Sequence, residues 1–260
     1  MLKVEIQSSV ARVTLDRPEV RNAFDDVLIA SITKVLLEIS NDKSVRVVVL
    51  GGNGPAFCAG ADLNWMKRMA GYGYAENLAD ARALAAMLAT LDRMPQPTIA
   101  RVHGPAFAGG TGLVAACDIA VGTPEAKFCF SEAKLGLSPA TIGPYVTRAI
   151  GERMARRYFL TAEMFGAEEA FRIGLLSVLV PAPDLDITIE ELLRHVLSGG
   201  PEAHGKIKDL IRTVSRRPID DALSDETAKR IAEIRVSPEG REGIASFLEK
   251  RKASWCSPKS

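Results

Sequence analysis

The spacing of apolar and polar residues divides the chain into a first part with strands and a last part that is helical. Runs rich in β-branched residues predict strands over residues 2–7, 10–15, 45–50, 97–102, 119–121, 127–130 and 177–180. Apolar positions three and four residues apart predict helices over residues 25–40, 76–94, 143–150, 152–161 and 167–173. The order strand, strand, helix recurs, so we expect an α/β fold that does not alternate strictly.

No strand pattern follows Ile187, and the remaining sequence carries two helical apolar stripes. The stripe residues are Ile189, Leu192, Leu193 and Val196, then Ile207, Leu210, Ile211 and Val214. Helices without a sheet form a thin layer that cannot bury both of its faces alone. We therefore expect a core over residues 1–186 and a helical region over residues 187–260. The helical region should pack against the core, a neighbouring subunit, or both.

Two turns rich in small residues carry the main chemical signal. The first, residues 57–63, follows the strand predicted over 45–50, and the second, residues 106–113, follows the strand predicted over 97–102. Small residues at a strand-to-helix turn leave backbone N–H groups uncovered at a helix N-terminus, where they bind negative charge. One such turn is weak evidence, since tight packing also selects glycine. Two facing turns can hold one developing oxyanion between two donors.

Composition and charge exclude several classes of function. Hydrophobic residues make up 47% of the 260 residues, which supplies a substantial core, and the net charge of +1 argues against nucleic acid as the main partner. The sequence has neither an apolar run of membrane-spanning length nor a signal-peptide pattern. The 4 cysteines form no CxxC pair, which favours buried free thiols in a reducing compartment over disulfides or zinc. We expect a cytoplasmic protein with no metal and no membrane partner.

Glu132 is the ionisable residue with the clearest chemical potential. It follows the apolar residues 128–130, and a carboxylate at such a strand end can have a raised pKa suited to proton transfer. The alternative is a solvated glutamate paired with Lys134, and residue statistics alone favour this alternative. Asp62 is interpreted as a helix cap. The histidines His103, His195 and His204 are interpreted as ordinary core or surface residues rather than as functional ones.

Several ordered motifs resemble the enoyl-CoA hydratase/isomerase (crotonase) superfamily, and the resemblance covers essentially the whole chain. These motifs are residues 22–24, 59–63, 108–113, 117–119, 131–136 and 247–251. The resemblance implies the crotonase fold, a spiral of ββα units followed by a helical region that builds trimers, commonly paired into hexamers. It also implies an acyl-CoA thioester as substrate, with coenzyme A as part of the substrate and no separate cofactor.

The same resemblance implies roles for individual residues. Ala61 and Gly109 would donate backbone N–H groups to the thioester oxygen, and Glu132 would move protons or hold water. The coenzyme A wall would be formed by Ala23, Ala59, Ala61, Asp62, Leu63, Asn64 and Gly109. Phe247 and Lys250 match a pair that approaches coenzyme A from a neighbouring subunit in relatives.

Gly112 departs from the two-glutamate pattern, since hydratases of that pattern carry their other carboxylate at this position. A lone glutamate is also the arrangement of many isomerases. However, the motifs around residues 60–66, 76–80 and 131–141 resemble bacterial methylglutaconyl-CoA hydratases. Hydratase is therefore the first hypothesis, isomerase the second, and a non-catalytic acyl-CoA-binding protein the third.

Thr111 and Ser138 are candidates to help hold water. Candidates to recognise a distal carboxylate are Tyr72, Tyr74 and Arg82.

Overall fold

A computed structural model describes residues 1–256, which form two sheets and ten helices. The strands are β1 (Leu2–Gln7), β2 (Val10–Leu15), β3 (Val47–Gly52), β4 (Thr98–Val102), β5 (Ala106–Phe107), β6 (Ile119–Gly122), β7 (Lys127–Cys129), β8 (Phe165–Gly166) and β9 (Val178–Leu179). The helices are α1 (Asp26–Asn41), α2 (Leu63–Met69), α3 (Tyr74–Arg93), α4 (Gly109–Ala116), α5 (Gly143–Thr161), α6 (Ala167–Arg172), α7 (Leu185–Ser198), α8 (Pro201–Val214), α9 (Asp221–Val236) and α10 (Pro238–Leu248).

The larger sheet runs in the order β1-β2-β3-β4-β6-β9 and is covered by helices on both faces. The β1–β2 pair is antiparallel and every other pair in this sheet is parallel. Along β3, Val48 and Leu50 belong to the cluster that includes α1, while Val47 and Val49 pack with α7 on the other face. A β-branched strand buried on both faces is typical of a parallel sheet under helices.

The smaller sheet runs in the order β5-β7-β8 and lies beside a cluster of aromatic rings. Phe128 on β7 stacks on Phe165 with ring centroids 5.6 Å apart, and Phe165 also contacts the ring of Tyr158 at 4.1 Å. This packing stabilises the position of β7. Since β7 leads directly into the segment that carries Glu132, the small sheet anchors that residue.

The C-terminal helices are joined to the core by an ion pair whose lysine is buried. Lys208 on α8 places its Nζ 2.6 Å from a carboxylate oxygen of Asp118 and 3.1 Å from the carbonyl oxygen of Gln96. Lys208 is buried, and both partners lie next to strands of the larger sheet. The boundary predicted at residue 187 falls inside α7, which packs against that sheet through Leu185 and Ile189.

Local differences from the sequence predictions have physical causes. The strand predicted over residues 45–50 begins two residues later and includes Gly51 and Gly52. A Cβ on Gly52 would lie 2.7 Å from the carbonyl oxygen of Phe57, so this strand needs a glycine where a neighbouring backbone passes closely. The structure also contains α2, β5 and β8, which were not predicted. The helical pattern over 143–161 is broken at Gly151, as predicted, where φ is 75°.

Within residues 1–256, no helix combines the length and the apolar character needed to cross a lipid bilayer.

Candidate active site

The first turn is held against the segment that follows β2. The N–H of Ala59 donates to the carbonyl of Arg21 at 2.9 Å, and the N–H of Phe24 donates to the carbonyl of Gly60 at 2.6 Å. The N–H of Asp62 in turn donates to the carbonyl of Phe24 at 2.7 Å. The structure therefore places the predicted coenzyme A residues side by side, namely Ala23, Ala59, Ala61 and Asp62.

Asp62 begins α2 as its N-cap, which confirms the structural interpretation made from the sequence. Its Oδ1 accepts hydrogen bonds from the N–H groups of Asn64 at 2.8 Å and Trp65 at 3.2 Å. Leu63 and Asn64 are exposed on the first turn of this helix, and 74% of Leu63 is accessible. An exposed leucine at this position leaves an apolar surface next to the turn.

The second turn begins α4, with Gly109 as the first helical residue. Ala108 caps the helix at φ 45° and ψ −114°, an unfavourable conformation for a residue with a side chain. Its N–H donates to the carbonyl of Cys129 at 2.9 Å, which ties the turn to the end of β7. A Cβ on Gly109 would lie 2.7 Å from the ring of Phe24, so only glycine fits there without a shift.

The two turns lie against each other. The N–H of Phe107 donates to the carbonyl of Cys58 at 2.9 Å, and the N–H of Cys58 donates to the carbonyl of Pro105 at 3.2 Å. Within residues 1–256, the N–H groups of Ala61 and Gly109 have no hydrogen-bond acceptor. Two unpaired backbone donors on adjacent turns, one of them at a helix N-terminus, can bind an oxyanion.

Glu132 lies on a short 3₁₀ turn, Ser131–Leu135, which follows β7. Its side chain is half-buried, and its Oε2 is buried without a hydrogen-bond partner in the described part of the chain. Burial raises the pKa of Glu132, opposed by a hydrogen bond from its own backbone. The buried Oε2 differs from the solvated, Lys134-paired alternative, and no ion pair to Lys134 is found among residues 1–256. A buried carboxylate with a free oxygen is suited to take up a proton.

The space next to Gly112 is filled by apolar side chains. A Cβ on Gly112 would lie 2.3 Å from Cγ2 of Ile142 and 3.7 Å from Cδ2 of Leu88. A glutamate at this position would therefore require Ile142 to move. Of the two candidate water-holding hydroxyls, Thr111 is buried and already donates to the carbonyl of Ala106 at 2.7 Å, while Ser138 is exposed. Nothing in the sequence pattern indicated the role of Ile142.

Gly112→Ala is expected to lower the free energy of unfolding by about 1–3 kcal/mol, because the added methyl group overpacks against Ile142. Urea unfolding measures this change, and Gly143→Ala is the matched control, since a Cβ on Gly143 would meet no atom within 4 Å. Combining Gly112→Ala with Ile142→Ala should cost less than the sum of the single changes. Additive costs, or an unchanged Gly112→Ala protein, would contradict this packing.

The remaining candidate residues lie away from these turns or serve structural roles. His103 contacts the carbonyl of Gly54 through Nε2 at 2.9 Å. Phe247 is 83% exposed at the end of α10, which packs against α8 and α9, and Lys250 follows it at the surface.

All the cysteines are free, and Cys256 is exposed, which differs from the prediction of buried thiols. Within the described residues, no group of three or more His, Cys, Asp or Glu side chains could hold a metal ion.

Comparison with known proteins shows the family of this chain. The sequence profile described as enoyl-CoA hydratase/isomerase matches residues 5–258. The chain belongs to this family. A crystal structure of an enoyl-CoA hydratase from Shewanella pealeana is 43% identical, superposes with a TM-score of 0.95, and is matched over 98% of this chain and 95% of that one. The family member described here therefore has the crotonase fold.

Two relatives among known proteins are similar over nearly their whole length. The short-chain-enoyl-CoA hydratase of Clostridium acetobutylicum is 32% identical over 96% of this chain and 95% of its own. The crotonyl-CoA hydratase of Syntrophomonas wolfei is 30% identical over 98% of this chain and 97% of its own. Both names describe enzymes that act on unsaturated acyl-CoA thioesters.

Proposed function

We propose that this protein is an enoyl-CoA hydratase that adds water across the α,β double bond of an acyl-CoA thioester. The observation that carries the proposal is the half-buried Glu132, whose Oε2 has no hydrogen-bond partner within residues 1–256. The strand before Glu132 is hydrogen-bonded to the turn that presents the N–H of Gly109. The hydratase names of the relatives support the same reaction. Coenzyme A enters as part of the substrate, and no other cofactor is proposed.

The two unpaired N–H groups stabilise the charge that develops during addition. As the water oxygen bonds to the β carbon, the electrons of the double bond move toward the thioester oxygen. Donation from Ala61 and Gly109 lowers the energy of this enolate more than that of the neutral thioester. The N-terminus of α4 adds a favourable partial charge at Gly109.

Glu132 supplies the proton transfers in this scheme. Its carboxylate takes one proton from water as the water oxygen bonds to the β carbon, and it then delivers that proton to the α carbon. The product contains one added water, and Glu132 returns to its carboxylate form. The raised pKa of Glu132 helps the first step, because burial makes the protonated form of this side chain less costly than the carboxylate.

Isomerisation is the alternative function, and the packing around Gly112 favours it. Ile142 fills the space that a side chain at position 112 would need first, and Glu132 is the only carboxylate among the matched catalytic positions. A lone base can remove a proton from one substrate carbon and return it to another. That reaction moves the double bond and leaves the composition of the thioester unchanged.

For the acyl group we propose a branched, glutaconyl-type chain, on the motif resemblance around Glu132. The two relatives are named for short or crotonyl chains, which makes straight chains the competing class. A panel of unsaturated acyl-CoAs with and without a distal carboxylate tests the choice through loss of enoyl absorbance. A higher kcat/KM for branched dicarboxylic thioesters supports the proposal, and a preference for crotonyl-CoA contradicts it. Tyr74 and Arg82 are exposed on α3 and remain candidates for contacting the distal carboxylate.

We also propose that the C-terminal helices assemble the protein into a trimer or hexamer. Large apolar side chains are exposed on α8, α9 and α10, namely Ile207, Ile211, Ile231, Val236, Ile244, Phe247 and Leu248. A groove of about 1010 Å³ is lined by residues of α8, α9 and α10. An apolar surface of this extent is typical of an interface. Sedimentation equilibrium should give three or six chains per particle, and a stable monomer that turns over substrate would contradict the assembly.

A further inference from the structure

Arg17, two residues after β2, makes a largely buried set of contacts beside the first turn. Only 15% of its side chain is exposed. Its Nη1 donates to the carbonyl of Ala23 at 3.1 Å and to Oδ2 of Asp25 at 2.7 Å, and its Nη2 lies 3.5 Å from Oδ2 of Asp62. One guanidinium therefore contacts the residues on both sides of Phe24 and the residue that follows Ala61.

The backbone of Phe24 sets the direction of the Ala61 donor. The N–H of Phe24 donates to the carbonyl of Gly60, which belongs to the same peptide unit as the N–H of Ala61. In a trans peptide the C=O and N–H point in opposite directions. The hydrogen bond to Gly60 thus turns the N–H of Ala61 away from Phe24 and leaves it free.

Phe24 also touches the second donor. Its ring lies 2.7 Å from the position that a Cβ on Gly109 would occupy, so the glycine backbone packs directly against it. A shift of Phe24 would therefore move both N–H groups relative to each other. The carboxylates that Arg17 contacts are themselves helix caps, since Asp25 accepts from the N–H of Leu28 at 2.7 Å and Asp62 caps α2.

We propose that Arg17 is a positioning residue that holds Phe24 in place and so aims the N–H groups of Ala61 and Gly109 at the thioester oxygen. This inference rests on the proposed oxyanion site. Arg17 does not touch the reacting atoms, and it acts through the backbone and ring of Phe24. The planar guanidinium suits this task, because its fixed fork of donors contacts a carbonyl and two carboxylates together.

Two substitutions separate geometry from charge. Arg17→Lys keeps the positive charge between the carboxylates of Asp25 and Asp62, but a single ammonium group cannot reproduce the fork. Arg17→Met removes both the positive charge and the fork of donors. A displacement of about 1 Å in a catalytic group can lower the rate about 100-fold, so we expect a loss of that order in kcat/KM for Arg17→Met and a smaller loss for Arg17→Lys. The loss should appear mainly in kcat, because the coenzyme A wall is retained.

The carbonyl stretch of bound crotonyl-CoA, labelled with carbon-13 at C1, reports the donors directly. The measurement uses the Glu132→Gln protein, in which turnover is blocked, with and without Arg17→Lys or Arg17→Met. Infrared difference spectra should show the carbonyl stretch of bound crotonyl-CoA at a lower frequency than that of free crotonyl-CoA when Arg17 is present. Most of that shift should be lost in both double variants. Arg101→Met is the control, since Arg101 pairs with Asp186 between β4 and α7 and should leave the shift unchanged.

The outcomes distinguish an error about the role of Arg17 from an error about the oxyanion site itself. If the shift is present with Arg17 and persists in the Arg17→Lys double variant, Arg17 only stabilises the fold and the inference is wrong. If crotonyl-CoA binds but no shift is present even with Arg17, the oxyanion site itself is wrong. Should Arg17→Met fail to fold, Arg17→Lys decides the question, because it preserves the charge that the buried carboxylates need.

Discussion

Glu132→Gln is expected to lower kcat by about a hundredfold to ten-thousandfold, the usual loss when a general acid–base group is removed. The amide keeps the shape of the carboxylate but cannot accept a proton from water. Because burial raises the pKa of Glu132, the neutral amide also avoids the cost of burying a charge at neutral pH. The melting temperature should therefore not fall.

Steady-state kinetics and calorimetric titration with butyryl-CoA separate turnover from binding in this variant. Binding should stay within a few-fold of the unmodified protein, since the substitution leaves the proposed backbone donors of Ala61 and Gly109 in place. Glu125→Gln is the matched control, because Glu125 is exposed in the turn between β6 and β7 and should leave kcat unchanged. A Glu132→Gln protein that keeps most of its activity removes Glu132 from the mechanism.

The same assignment predicts the pH dependence of kcat/KM. Glu132 accepts a proton from water only as the carboxylate, so activity should fall as the pH drops through its pKa. Burial places that pKa above the ordinary glutamate value of 4.5. The acid limb of kcat/KM should therefore lie above pH 4.5. An acid limb at or below that value, measured where the protein stays folded, would show that a different group controls the reaction.

Ala61→Pro is expected to reduce kcat/KM by about 100-fold to 1000-fold, which corresponds to roughly 3–4 kcal/mol of transition-state stabilisation. Proline removes the N–H that would contact the thioester oxygen. This N–H has no acceptor within residues 1–256, so the substitution deletes no hydrogen bond found in the described fold. Gly60, the preceding residue, has φ 91° and lies beside Phe107 in the second turn.

Ala61→Gly is the matched control, since it retains the N–H and removes only a methyl group. Circular dichroism must show that both variants are folded, because proline could also distort the turn. We expect Ala61→Gly to keep most of the activity. Near-normal kinetics in a folded Ala61→Pro protein would mean that the oxyanion is held elsewhere.

Much of the fold could be predicted from local sequence patterns. The β-branched run before the first turn indicated a buried strand, and β3 is buried on both faces. The two turns were visible because small residues follow apolar strands, and the structure brings these turns together through Cys58 and Phe107. The family motifs then supplied the spiral of ββα units, an arrangement in space that local patterns alone do not determine.

The contacts that shape the candidate site could not be predicted in this way, because they join residues distant in the chain. Ile142 fills the space beside Gly112, and Arg17 contacts Asp62 across the first turn. No periodic pattern encodes such contacts. The burial of Glu132 likewise depends on how the segment after β7 packs in three dimensions, whereas residue statistics favoured a solvated side chain.

The central claim is hydration, and the most direct test is turnover in oxygen-18 water followed by mass spectrometry of the acyl-CoA product. A hydratase must place one labelled oxygen at the β carbon of the product. We predict this incorporation with a branched glutaconyl-type thioester, even though Glu132 is the only carboxylate among the matched positions. Migration of the double bond without incorporation of label would contradict the hydratase account and establish the isomerase.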